Sequence, residues 1–292
     1  MRGFEVPAVD YTRYSDRQLA TVPLVVLAIA LTVIAGTWVL TGAPVHAGLD
    51  FTGGVEAQIE TDATTDEIRA AFDTEPEAVQ PVRAQENVYI VTFRADADAT
   101  ESQADAIEGE AEAAGFSVQS IQETSASFGA ETQVQALIGV AVAFLGMSVL
   151  VALIFRTFVP SIAIVASAFS DIMIPIALMN LFGIELSLGT VAALLMLIGY
   201  SVDSDILLNN QILRRRGDFY ESTQRAMRTG VTMTLTSIVA MIVMTIVASL
   251  FQIPLLPAVG IVLVFGLAAD LMNTYLLNVS LLRWYKYEGI AR

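Results

Sequence analysis

The chain has 292 residues, 55% of them hydrophobic and only 15% charged, with a mean hydropathy of +0.63. That composition excludes an ordinary water-soluble globular protein and reads as an integral membrane protein. A net charge of −15 with one lysine argues against nucleic acid as a partner, because neutralising phosphate takes clustered Lys and Arg. With no cysteine, disulfides, thiolate nucleophiles and sulfur-ligated metals are excluded.

Residues 1–18 form a polar and aromatic lead-in. Apolar runs of about 20 residues, the length needed to cross a bilayer, then occur at 19–41, 134–155, 159–182, 186–213, 230–251 and 255–282. The first run is too long for a signal-peptide core, although Val45-His46-Ala47 loosely fits a cleavage site, and it is read as a retained span. Six spans put both ends of the chain on one side.

Charge tests this topology independently. Residues 44–131 hold 19 of the 30 acids and 3 of the 15 bases, a balance of −16. The other bases fall in the amino-terminal segment, at Arg156, in the loop after the fourth span (Arg214, Arg215, Arg216, Arg225, Arg228) and in the tail. Those regions share one face, which the positive-inside rule makes cytoplasmic. The loop over 214–229 reads first as a solvated, topology-setting segment that touches anionic lipid, and secondly as a docking site. The strongly acidic segment resembles the surfaces of proteins from high-salt surroundings.

After the first span comes Gly48-Leu49-Asp50-Phe51-Thr52-Gly53-Gly54. Adjacent glycines free the backbone, and Asp50 and Thr52 can cap a turn with their side-chain oxygens, so the stretch is either an ordinary turn or a hinge. Alternation over 55–60, 78–83, 88–94 and 116–122 predicts four strands, and 64–72 and 100–114 read as helices. The order β-α-β-β-α-β is the split, ferredoxin-like pattern. The expected fold is thus a membrane all-α six-helix bundle with one extracytoplasmic α+β domain between helices 1 and 2. Its divisions are a lead-in (1–18), helix 1 (19–41), the outer domain (42–131), helices 2–6 (132–283) and a cytoplasmic tail (284–292).

Four acids lie inside apolar runs: Asp171, Asp203, Asp205 and Asp270. An ionised Asp at a helix centre costs roughly 2.5–3.5 kcal/mol on insertion scales, so such residues face a bundle interior, a partner or a water path. No basic residue sits at similar depth. Burial disfavours the charged carboxyl, which brings protonation within reach of a transmembrane gradient. These acids, with Asn273 on the face of Asp270, are candidates for a proton or cation relay; the alternative is hydrogen-bonded glue between helices. Asp203 and Asp205 lie roughly 200° apart around a helix, and the expectation places Asp203 toward the bundle and Asp205 toward a partner or cytoplasmic water. Thr229, Thr232 and Thr236 mark one side of the fifth span as a packing stripe.

Other chemistries are poorly served. The only lysine is in Tyr285-Lys286-Tyr287, so no Walker-type phosphate loop exists. The lone His46 lies outside the spans, leaving no His-ligated metal or Ser-His-Asp triad within the membrane. An intramembrane aspartyl protease would need signature residues around Asp171 and Asp203 that this chain lacks.

The first motif, Gly48 to Gly54, and Gly199-Tyr200-Ser201-Val202-Asp203-Ser204-Asp205 in the fourth span resemble the signatures of SecF subunits of the SecDF protein-export complex, archaeal members in particular. The resemblance covers six spans, one outer domain after the first and a basic loop after the fourth. It implies a non-enzymatic subunit without cofactor, metal or nucleotide. The implied partners are a SecD-like subunit, the Sec translocon, exported unfolded polypeptide and membrane lipid. It implies an ion gradient as energy source, a moving outer domain with Gly53 and Gly54 near the hinge, and Asp171 as the acid of the third span. Ser204 stands where bacterial members carry Asp, which leaves the residue-level assignment of the ion site open. Two further readings stay beside it: a small-molecule or lipid exporter of the resistance-nodulation-division superfamily, and a structural assembly factor with silent acids.

Overall fold

The computed structural model describes residues 10–82, 87–95, 102–213, 218–251, 253 and 255–289. Arg83, Thr100, Glu101 and the loop residues Arg214, Arg215 and Arg216 lie outside them. Six helices among the described residues are long and apolar enough to cross a membrane.

The first, α1 (Asp16–Thr41), starts three residues before its apolar run because Ser15 and Gln18 close a capping box, and it stops at left-handed Gly42. A one-turn helix, α2 (Leu49–Thr52), then leads into β1 (Gly54–Glu60). Next come α3 (Thr65–Ala70), β2 (Ala78–Pro81), β3 (Val88–Arg94), α4 (Gln103–Ala113) and β4 (Ser117–Thr124). The sheet order is β2-β3-β1-β4 with every neighbouring pair antiparallel. Period-two alternation sends Val55, Ala57 and Ile59 of β1 and Val91 and Phe93 of β3 inward. Ile68 of α3 and Ile107 and Ala111 of α4 join them in one core. Each large apolar side chain buried there contributes roughly 1.5–3 kcal/mol. The alternating outward positions carry Glu56, Glu60 and Gln58, which gives the sheet its acidic face.

Ser125 caps α5 (Ala126–Phe155), which begins directly at the end of β4, eight residues before the apolar run. Then follow α6 (Phe158–Phe182), α7 (Leu188–Leu213), α8 (Phe219–Leu250) and α9 (Leu256–Met272). The sixth span continues through a π-wound segment (Asn273–Asn278), α10 (Val279–Trp284) and a second π-wound segment (Tyr285–Gly289). Helices α6 and α7 form the buried centre, whereas α1, α5 and α8 turn apolar side chains such as Val149, Leu153 and Val243 outward. At Gly266 a Cβ would stand 2.2 Å from Leu197 Cδ2, so the glycine is what lets α9 close on α7.

Two expectations about these elements change. The three threonines read as a packing stripe on α8 do not pack against the other helices of this chain. Thr229, Thr232 and Thr236 are exposed and donate back to carbonyls of their own helix, whereas buried Thr234 accepts from Tyr200 Oη on α7 at 3.3 Å. The α8 helix also begins at Phe219, capped by Asp218, so Arg225 and Arg228 ride on its first turns rather than in a loop.

The amino-terminal segment closes the bundle end opposite the sheet. Buried Arg283 pairs with Asp16 and donates to the carbonyls of Tyr11 and Tyr14 at 2.8 Å. Tyr11 Oη reaches Met227 S and the Tyr275 carbonyl, both at 3.1 Å.

Candidate functional site

The centre of the bundle holds a carboxylate cluster built by three helices. From α6 comes Asp171, from α7 Asp205, and from the end of α9 Asp270; all three are essentially inaccessible. Asp171 accepts from Ser201 Oγ on α7 and from Asn273 Nδ2, each at 2.6 Å. Asp205 Oδ1 accepts from Thr274 Oγ1 at 2.9 Å and Asn278 Nδ2 at 2.8 Å. Asp270 Oδ1 accepts from Ser204 Oγ at 2.8 Å and Thr274 Oγ1 at 3.3 Å. Thr274 thus bridges two of the acids, and Ser204 touches it at 3.3 Å.

The π-wound turn explains how one helix supplies so many donors. Widening the coil over Asn273–Asn278 brings Asn273, Thr274 and Asn278 onto the cluster side together, where a regular α-helix would spread them further round. Asn273 therefore serves Asp171, and Asp270 serves α7, although the two share a face in sequence. Among the unpartnered side-chain oxygens of the described residues at the centre are Asp205 Oδ2, Asp270 Oδ2, Asn273 Oδ1 and Ser170 Oγ. No Lys or Arg pairs with these acids among the described residues. Three buried carboxyls, two of which, Asp205 and Asp270, have donors on one oxygen and open valence on the other, are equipped to take up and release protons or a small cation.

Asp203 does not join them. It is exposed on the outer face of α7, beside Gly199, and Asp205 takes the inward position, so the expected facing of the two residues is reversed. Ser204 was noted only as a departure from the motif of bacterial members, and Thr274 and Asn278 were not singled out from sequence. The signal for the last two was present, since Asp270, Asn273, Thr274 and Asn278 recur at i, i+3, i+4 and i+8 within an apolar run.

A second polar structure joins the sheet to α7. Asp50 does not cap its own turn; its Oδ2 accepts from the Leu188 amide at 2.8 Å, capping the start of α7 from a distant segment. Next to it Gly48 N donates to Leu186 O at 2.8 Å, Leu186 N to His46 O at 2.7 Å, and Asn180 Nδ2 to Pro44 O at 2.9 Å. Residues 44–50 are thereby strapped to the turn between α6 and α7. Gly53 follows with φ +74°, and a Cβ there would fall 2.6 Å from the Ala126 amide, so only glycine fits where β1 departs beside the start of α5.

Carboxylates crowd this junction. Glu185, in the α6–α7 turn, has its pKa raised, by burial first and by Glu77 and Glu56 next, with His46 opposing. Burial and Asp50 raise that of Glu56. Both side chains reach solvent, yet the protein packed around them removes part of their hydration, which disfavours the charged form.

Six spans around buried acids, with one small α/β unit inserted after the first span, define a multi-pass membrane protein with an ionisable core. Residues 106–288 match the family described as "Protein export membrane protein SecD/SecF, C-terminal". The chain is 69% identical to the protein-export membrane protein SecF of Haloferax volcanii and 67% identical to that of Haloquadratum walsbyi, with complete coverage of both partners in each case. It is 35% identical to the SecF of Pyrococcus furiosus over 94% of this chain and 93% of that one. The crystal structure of SecDF from Thermus thermophilus, a translocon-associated membrane protein, superposes with a TM-score of 0.73 at 18% identity. That match covers 96% of this chain and 39% of the other. The chain belongs to the SecF family of protein-export membrane proteins.

Proposed function

We propose that this subunit promotes polypeptide export by coupling an ion gradient, through Asp171, Asp205 and Asp270, to movement of its α/β unit. The single observation that carries the reading is the buried trio itself: three carboxyls that no Lys or Arg among the described residues pairs with, two of them with an unpartnered oxygen. In this reading the α/β unit is an extracytoplasmic ferredoxin-like domain spanning 42–131, and both termini are cytoplasmic. A SecD-like subunit carries the second half of the machine, together with the Sec translocon and the unfolded polypeptide. Asp203 meets that subunit, because a carboxylate exposed at membrane depth is too costly against lipid. Gly53 and Gly54 form the pivot, and the Asp50 strap ties the pivot to the helix that carries Ser201, Ser204 and Asp205.

The test is replacement of each acid by its isosteric amide in cells that depend on the chain for secretion. Asp171→Asn, Asp205→Asn and Asp270→Asn, at normal expression, are expected to slow export and to remove its response to an imposed pH or sodium gradient. Wild-type export by all three variants across gradients would leave the acids as structural glue and end the coupling proposal.

A further inference from the structure

Away from the carboxylate cluster, a cavity of about 500 Å³ opens between the end of α5 and the start of α6. Among the described residues Arg156 is the only charged one lining it. That residue terminates α5 in a left-handed conformation, φ 53°, leaves its side chain exposed, and has no carboxylate within ion-pair distance among the described residues. The neighbouring Thr157 gives the first turn of α6 no side-chain cap, and its own Oγ1 is buried and unpartnered at the cavity wall. The first-turn amides of Phe158 and Val159, Pro160 having none, and a guanidinium make this mouth attractive to an anion.

The rest of the wall is of another kind. One to two turns along the spans it is formed by Ala152, Ile162 and Val165, together with Ser148 and Ser161, whose hydroxyls are spent on the Phe144 and Thr157 carbonyls of their own helices; Phe158 is 78% and Ile162 47% exposed at its rim. A free anion gains nothing from such a surface; an amphiphile with an anionic head gains from both parts. We propose that this groove binds an acidic membrane phospholipid, its phosphate at Arg156 and the start of α6 and its upper methylenes along Ile162 and Val165. The inference rests on the helices lying in a membrane and is independent of the coupling role of the buried acids.

The full chain in neutral detergent tests it by thermal melting with dioleoylphosphatidylglycerol, with dioleoylphosphatidylcholine, or with inorganic phosphate, at one fixed salt concentration. Phosphatidylglycerol is expected to raise the melting temperature well above the effect of the zwitterionic lipid or of phosphate. Arg156→Gln should lose most of that increment, and Ala152→Phe, which fills the apolar wall but keeps the arginine, should lose it too. A variant with Arg214, Arg215 and Arg216 all changed to Gln should retain it. An undiminished increment in either groove variant would overturn the site. An equal effect of inorganic phosphate would do the same, by reducing it to a free-anion contact.

Discussion

Asp203 and Asp205 stand two positions apart on α7 in opposite surroundings. Asp205 is enclosed and receives Thr274 and Asn278, while Asp203 is exposed beside Gly199. Their amide variants should therefore fail in different ways. Asp205→Asn keeps the hydrogen-bonding shape but removes the titrating group. It should leave complex assembly intact and cut gradient-driven export by roughly tenfold or more, equivalent to about 1.4 kcal/mol in the limiting barrier. Asp203→Asn should chiefly weaken co-purification of a second membrane subunit. Pull-down yield and pulse-chase secretion, measured on the same cells, separate the two; export loss without assembly loss in Asp203→Asn would reverse the assignment. The sequence could not say which aspartate faces inward. Both lie on polar edges of one helix, and hydropathy is blind to which edge a second subunit covers.

Among the elements, the spans and strands were legible because each carries one dominant period. The apolar runs gave six helices, and alternation in β1 and β3 gave two strands of a sheet with one buried face. What escaped were features set by tertiary contact: the π-wound turn, where local widening is stabilised by bonds from Asn273, Thr274 and Asn278 to acids on other helices, and the partner of Asp50. That strap yields a prediction. Asp50→Ala should lower the stability of the α7 start by about 1 kcal/mol, the worth of a helix cap, whereas Asp50→Asn keeps an acceptor and should recover most of it. Amide exchange at Leu188 to Val191 reads this directly, and equal protection in both variants would remove Asp50 as the cap.

The crowded carboxylates beside the strap give a pH dependence. A carboxyl whose pKa is raised by folding binds its proton more tightly in the folded state. Its stability contribution is present at acid pH and is lost as pH rises above the ordinary glutamate value of 4.5. The exposure of Glu185 limits its share to under about 1 kcal/mol. Glu185→Gln is expected to melt at a higher temperature than wild type near neutral pH and to match it at pH values below the ordinary one. A constant difference across that range would exclude titration of this residue.

For the molecule as a whole, charge is divided as sharply as hydropathy. The segment 44–131 carries −16 and the rest of the chain +1, and the two relatives of highest identity described above come from Haloferax volcanii and Haloquadratum walsbyi. Like charges spread over so small a unit repel unless salt screens them, and screening shortens from about 10 Å at 0.1 M to about 3 Å at 1 M. Lowering salt from molar to tenth-molar is expected to release hydrogen-exchange protection in β1 to β4 before it does so in the membrane helices. Simultaneous loss in both regions would show that the unit has no separate salt requirement.

The ends of the α/β unit have a mechanical consequence. Gly54 opens β1 directly opposite Thr124 at the close of β4, so the unit enters and leaves at one point beside the start of α5. A body held at one point behaves as a lever. The seven residues of β1 extend about 23 Å from that point, so a rotation of about 10° would carry the far edge of the sheet through about 4 Å, by the same strand rise of about 3.3 Å per residue. Small rearrangements at the strapped start of α7 would therefore be geared up into displacements comparable with the rise of a single extended residue of polypeptide.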